Sequence, residues 1–153
     1  MTSSTDRIER ETLLKAPIAR VWRALSSPDE FGTWFGVNLK GQQFTPGQWT
    51  RGNMTIKGFE HVVFEALIVE MLPEKRFTYR WHPYAVDPVK DYSKEDTTLV
   101  VMDLSETAGG TLLKVVESGF DKVPAERRAE AFRMNSGGWE GQLRNITKYV
   151  DSH

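Results

Sequence analysis

Hydrophobic positions along the chain change period three times, and those changes lay out its elements. From Arg7 to Leu14, Ile8, Thr12 and Leu14 take one side and Glu9 and Glu11 the other, the alternation of a half-buried strand. After Ala16-Pro17 the spacing becomes helical at Ile18, Val21, Trp22 and Leu25, with Pro17 opening the turn. Ser27-Pro28-Asp29-Glu30 reads as a capping box for a second short helix, with Glu30 reaching back to Ser27 and Gly36 ending the segment. Phe31, Trp34 and Phe35 crowd that helix.

Strand character then returns. Gln48 to Ile56 follows a turn at Pro46-Gly47, and His61 to Leu72 is a long apolar run closed by Pro73. Arg76 to His82 alternates, with Phe77, Tyr79 and Trp81 on one face. His82 to Asp96 is polar and holds two prolines, which predicts a long surface loop. Its charge run, Lys90 to Asp96, is read as solvated rather than as a mobile lid. Thr97 to Glu106 and Thr111 to Phe120 form a hairpin across Thr107-Ala108-Gly109-Gly110.

The last change, at Pro124, opens a helix running to Val150, roughly 40 Å long at about 1.5 Å per residue. Phe132, Ser136, Trp139, Leu143, Ile146 and Val150 recur at steps of four and three, and charged residues recur on the opposite face. Gly137, Gly138 and Gly141 interrupt it, each weakening a helix by about 1 kcal/mol relative to alanine. Their presence predicts either a closely packed backbone or space left for a guest.

This order of elements is that of an α+β domain, with an antiparallel sheet wrapped around the terminal helix and residues 1–153 forming one domain. Phase assigns the inner face. Lys114 pointing outward turns Leu113, Val115 and Glu117 inward, and Asp103 outward does the same for Val100, Met102 and Leu104. Phe64 faces in if Glu65 faces out.

Composition narrows the chemistry. Cysteine is absent, which excludes disulfides, thiol catalysis and cysteine-ligated metals. The formal net charge is −1 with acids and bases interspersed, so neither nucleic acid nor an anionic membrane is indicated as a partner. No run of about 18 apolar residues occurs, and Met1 to Arg7 lacks an apolar signal core; a soluble, cytoplasmic protein is expected. Five Trp and eight Phe are ample for a core or for the wall of a pocket.

Arg20-Val21-Trp22-Arg23-Ala24-Leu25 and Phe31-Gly32-Thr33-Trp34-Phe35 resemble the opening of the START-like, or SRPBCC, superfamily. Within it the similarity is to the branch named after the activator of the heat-shock-protein-90 ATPase. Phe77-Thr78-Tyr79-Arg80-Trp81 is similar to its central strand, and Glu117-Ser118-Gly119-Phe120 and Asn135-Ser136-Gly137-Gly138-Trp139 resemble its closing segments. The likeness runs from about Arg7 to Val150. It implies a helix-grip fold of the Bet v I type, in which a curved antiparallel sheet closes on the C-terminal helix around an apolar cavity. The helix glycines would then belong to the cavity wall. Eukaryotic activators carry a further N-terminal domain that binds the chaperone, for which this chain is expected to have no room.

The expected ligand is a small hydrophobic or amphipathic molecule, with no cofactor and no metal. The aromatic set Trp34, Phe35, Trp49, Phe64, Trp81, Phe132 and Trp139 reads as either packed core or cavity wall, and the resemblance favours the wall. Met54, Tyr79 and Met102 join it as candidate ligand contacts, and Glu117 and Asn135 as the polar groups that orient a guest. Glu117 also admits two other readings: an acid/base of a cyclase- or aromatase-type enzyme, or a structural acid paired with an inward base such as Arg10 or with a backbone donor. His61, His82 and His153 have no ligand spacing, and His82 reads as a loop residue rather than a base. No nucleophile elbow, P-loop or dinucleotide fingerprint is present, and no catalytic residue is assigned. A third possibility is an interaction module for a chaperone or regulator, which predicts an exposed apolar patch around Trp34-Phe35. Oligomeric state is not legible.

Overall fold

A computed structural model describes residues 5–87 and 89–152. Met1 to Ser4, Pro88 and His153 lie outside the described residues, and with them part of the Met1–Arg7 segment and the third histidine. The elements, in order, are strand β1 (Arg7–Leu14), helices α1 (Ile18–Ser26) and α2 (Pro28–Phe35), and strands β2 (Trp49–Asn53), β3 (Val63–Leu72), β4 (Arg76–Trp81), β5 (Thr98–Thr107) and β6 (Gly110–Ser118). A 3-10 turn at Phe120–Lys122 leads into helix α3 (Ala125–Ser152). The strands form one antiparallel, curved sheet in the order β1-β6-β5-β4-β3-β2, with α3 packed against its inner face. This is the helix-grip architecture.

Strand phase sorts the side chains as expected. Leu113, Val115 and Glu117 on β6, Val100, Met102 and Leu104 on β5, and Phe77 and Tyr79 on β4 are all buried. From α3, Ala131, Trp139, Leu143, Ile146 and Val150 close the core. Phe132 and Ser136 are only half-buried.

Element ends are set by specific bonds. Gly36 caps α2 at φ 96°, a left-handed conformation that glycine adopts without a Cβ clash. Strand β6 stops at Ser118, short of the expected Phe120, because Gly119 turns the chain at φ 101° and donates its N–H to the Asp6 carbonyl. Strand β2 stops at Asn53, since Met54 makes only an isolated bridge to Val37. Residues 56–62 are spent in turns, so β3 begins at Val63 rather than His61.

The capping box is half formed. Ser27 Oγ accepts the Glu30 N–H at 3.4 Å, but the Glu30 carboxylate does not return to Ser27. Arg20 at 2.8 Å, Arg23 at 3.0 Å and the Tyr149 hydroxyl at 3.0 Å hold it instead. Two guanidinium groups outcompete one neutral amide for a carboxylate, and the result ties α1, α2 and α3 together.

Two further expectations are overturned. A Cβ placed on Gly137 or Gly138 would meet nothing within 4 Å and both residues are exposed, while at Gly141 it would meet only the Arg144 side chain at 3.8 Å. These glycines therefore neither admit a close backbone nor border a buried space. Trp34 and Phe35 are buried, so no apolar patch forms there; the Trp34 indole donates to the Ala24 carbonyl at 2.8 Å and locks α2 onto α1. The charge run Lys90 to Asp96 is solvated as expected at Lys90, Asp91, Lys94 and Asp96, while Glu95 within it is tied to α3.

Candidate ligand cavity and its buried carboxylate

The end of β6, the start of β5 and the end of β4 lie side by side, because Val100 pairs with both Glu117 and Tyr79 and Trp81 pairs with Thr98. Helix α3 crosses above them and lowers Asn135 and Trp139, one turn apart, onto Glu117. Glu117 is fully buried, and four side chains surround its carboxylate. Oε1 accepts from the Trp139 indole at 2.8 Å and Asn135 Nδ2 at 3.0 Å. Oε2 accepts from the Thr98 hydroxyl at 2.5 Å, the Trp81 indole at 2.7 Å and Asn135 Nδ2 at 3.2 Å.

No ion pair reaches this carboxylate among the described residues. Arg10, the base proposed for it, lies 3.6 Å from Glu140 and donates to the Glu9 carbonyl. Indole N–H and amide NH2 groups only donate, so the surrounding set is matched to an anion. Burial pushes the Glu117 pKa above the ordinary carboxylate value, and the bonds from Thr98, Trp139, Trp81 and Asn135 pull part of it back. Tyr79, also buried, has a hydroxyl with no hydrogen-bond partner among the described residues. Burial first and the Glu117 charge second raise its pKa well above the tyrosine norm, so it stays a neutral phenol.

Beside this cluster lies a partly open cavity of about 700 Å³. Its apolar wall includes Phe35, Met54, Phe64 and Trp81, and Asn135 contributes the polar group from α3. Phe35, Phe64 and Trp81 contact one another edge-to-face with centroids 5.4–6.0 Å apart. Trp49 borders the rim. It alternates with the buried Thr50, so it stands on the outer face of the sheet with Arg51, and is 44% exposed.

Of the twelve candidate contacts, Phe35, Trp49, Met54, Phe64, Trp81 and Asn135 line this cavity. Trp34, Tyr79 and Met102 sit in the closed core. Phe132 packs on Phe120 with centroids 5.2 Å apart, away from the cavity. Glu117 and Trp139 are absent from the lining. Trp81 and Asn135, which border the cavity and bond the carboxylate, separate it from the space.

The other wall was missed. Tyr84 to Asp87 and Lys90 to Ser93 cover the cavity as a strap. Arg127, in the first turns of α3, holds it by pairing with Glu95 at 2.7 Å and donating to the carbonyls of Pro83 and Tyr84. Its guanidinium also stacks 4.8 Å from the Tyr92 ring, and Lys90 pairs with Glu95 at 3.0 Å. His82 lies on the lining and bonds the Glu95 carbonyl through Nε2. The available signal was two tyrosines, Tyr84 and Tyr92, in an otherwise polar loop. Among the described residues no group of three or more His, Asp or Glu side chains is placed to hold a metal ion, and no helix is long and apolar enough to cross a membrane.

The family model described as "Activator of Hsp90 ATPase homolog 1-like protein" matches residues 15–151. None of the curated proteins matches. Similar solved structures include protein MLL2253 from Mesorhizobium loti, at 24% identity and TM-score 0.71 over 95% of this chain and 97% of that one. Protein NE0264 from Nitrosomonas europaea is 18% identical, with TM-score 0.71 over 99% and 98% of the two chains. DynU16, from the dynemicin biosynthetic locus, is 21% identical with TM-score 0.70; 95% of this chain aligns with 47% of that one, about half its length. At these identities the likeness is one of fold.

Proposed function

The chain belongs to the Activator of Hsp90 ATPase homolog 1-like family, and from there we propose that it binds a small hydrophobic or amphipathic molecule in the cavity between sheet, strap and α3. The observation that carries this reading is the cavity itself. About 700 Å³, bordered on one side by Phe35, Met54, Phe64 and Trp81 and on the other by the more polar strap, is the usual size of a small-molecule site. The wall is also rigid, because Trp81 is fixed by its bond to Glu117 and Phe35 by ring packing, so little ordering cost accompanies binding.

Catalysis through Glu117 is disfavoured by the same geometry. A general acid/base must come within hydrogen-bond reach of its substrate, and every oxygen of this carboxylate is already committed inside a sealed cluster. A protein-docking role through Trp34-Phe35 lacks the exposed patch it requires.

Titration with fatty acids, flavonoids and polyketide-like aromatics, followed by amide NMR shifts and tryptophan fluorescence, tests the proposal. Saturable shifts clustering on Phe35, Phe64, Trp81, Tyr84 and Asn135 are expected. Silence of all five at millimolar ligand would overturn it.

A further inference from the structure

The Glu117 cluster also determines the polarity of the cavity beside it. Asn135 gives its Nδ2 group to both carboxylate oxygens, and turning the amide over would set Oδ1 against an anion. The orientation is therefore fixed, and Oδ1 is left as an acceptor with no partner among the described residues, on a residue that lines the cavity. The Trp81 N–H, which would otherwise be a donor on the same wall, is also consumed by Glu117. The cavity's cations are neutralised as well: Arg51 pairs with Glu65 at 2.7 Å and Lys90 with Glu95 at 3.0 Å. Asp87 and Asp91 add carboxylates to the strap wall, where they accept from the main-chain N–H groups of Val89 and Ser93.

We infer that the cavity selects an apolar molecule bearing a hydroxyl or N–H donor, received by Asn135 Oδ1, over a carboxylate-bearing lipid. The inference rests on the cavity reading above and adds the chemical class of ligand. Asn135 is the specificity-determining residue, and Glu117 is a positioning residue that acts through it.

Three probes sharing one ring system separate the alternatives: 2-naphthol, which donates; 2-methoxynaphthalene, which cannot; and 2-naphthoate, an anion. Dissociation constants from NMR titration of the wild-type chain should place 2-naphthol first. The methyl ether should be weaker by roughly fivefold to tenfold, the effect of one hydrogen bond, and the carboxylate weaker still. Asn135→Ala should bring the naphthol and the ether to equal affinity. Glu117→Gln, which supplies an amide that Asn135 Oδ1 can turn to face, should release Asn135 Nδ2 toward the cavity and raise 2-naphthoate affinity. A merely structural role for Glu117 would not produce that gain. Equal binding of naphthol and ether by the wild type, or tightest binding of the carboxylate, overturns the inference while leaving the cavity reading intact. If none of the three binds while larger apolar molecules do, the donor preference is overturned alone; if nothing binds, the cavity reading falls and this one with it.

Discussion

Trp139 donates its indole N–H to Glu117 Oε1 over 2.8 Å, joining the middle of α3 to the end of β6. On the other oxygen, the Trp81 indole does the same from β4 at 2.7 Å. A single buried anion thus fastens the long helix to three adjacent strands through neutral donors alone. Such an arrangement is costly to form and costly to break, because each donor it satisfies has no water to fall back on.

Glu117→Ala should therefore destabilise the fold by roughly 3 kcal/mol or more, the sum of several buried donors left unpaired. Glu117→Gln should be milder, as it keeps one acceptor oxygen, although its NH2 must face the Trp81 or the Trp139 indole, which can only donate. Urea unfolding of the three proteins checks the ranking. An alanine variant within about 0.5 kcal/mol of wild type would show that these bonds are not maintained in solution.

The pH dependence of stability follows from the raised Glu117 pKa. Between the ordinary value of 4.5 and the raised folded value, the unfolded chain has lost this proton while the folded protein still holds it; above the folded value the carboxylate is an anion in both. The group's contribution is full below 4.5 and is lost as pH rises through the folded value. Burial acts to raise Glu30 and Glu95 too, but bonds from Tyr149 and Arg20, and from Arg127 and Lys90, outweigh it and hold both low. Those two contribute above their ordinary value and are lost as pH falls through their folded values, the opposite sense. Because Glu117→Gln retains them, the difference in urea midpoint between wild type and this variant isolates Glu117. It should shift against wild type as pH rises from about 4 to about 8. A flat difference would mean that the folded and unfolded values coincide.

The inner face of β5 and β6 was legible because Asp103 and Lys114 fix strand phase unambiguously, and that phase alone delivered Glu117 to the interior. Trp49 shows where phase reasoning stops. Its strand was placed, but Thr50 is the residue that faces in, bonding the Gln43 carbonyl at 2.9 Å, and a tryptophan on an edge strand was free to face outward. Trp34 looked like cavity wall by type, while its indole instead serves a carbonyl ten positions earlier. The strap was illegible for a different reason. Glu95 and Arg127 are 32 positions apart, and Arg127 sits among other charged residues near the start of α3 with nothing local to mark it.

Gly137 and Gly138 offer stability that the chain does not use. Alanine at either position would meet no atom within 4 Å and would regain helix propensity. Each substitution should stabilise by about 0.5–1 kcal/mol, raising Tm by roughly 2–4 °C per kcal/mol. Gly52→Ala provides the contrast, since its Cβ would lie 2.0 Å from the Asn38 carbonyl oxygen and force the backbone apart. Thermal unfolding of the three variants checks the signs. Loss of stability in both helix variants would show that this part of α3 is not helical in solution.

Arg127 and Glu95 are both about nine-tenths buried, with relative side-chain exposures of 11% and 10%, so their pairing resists solvent screening. Removing one partner leaves the other charge in a poorly solvated site, which is destabilising by roughly 3 kcal/mol for a buried pair. Arg127→Met should lose more than the ion pair, because the guanidinium also receives the Pro83 and Tyr84 carbonyls and covers Tyr92. The loss should be local. Hydrogen exchange of residues 84–95 should accelerate by at least tenfold while β5 and β6 remain protected, since their ladder does not depend on the strap. Affinity for any cavity ligand should fall with it, as the strap supplies one of the walls. Uniform acceleration across the sheet would instead make Arg127 part of the global folding unit, and unchanged exchange in 84–95 would show that the strap is held by its own internal contacts.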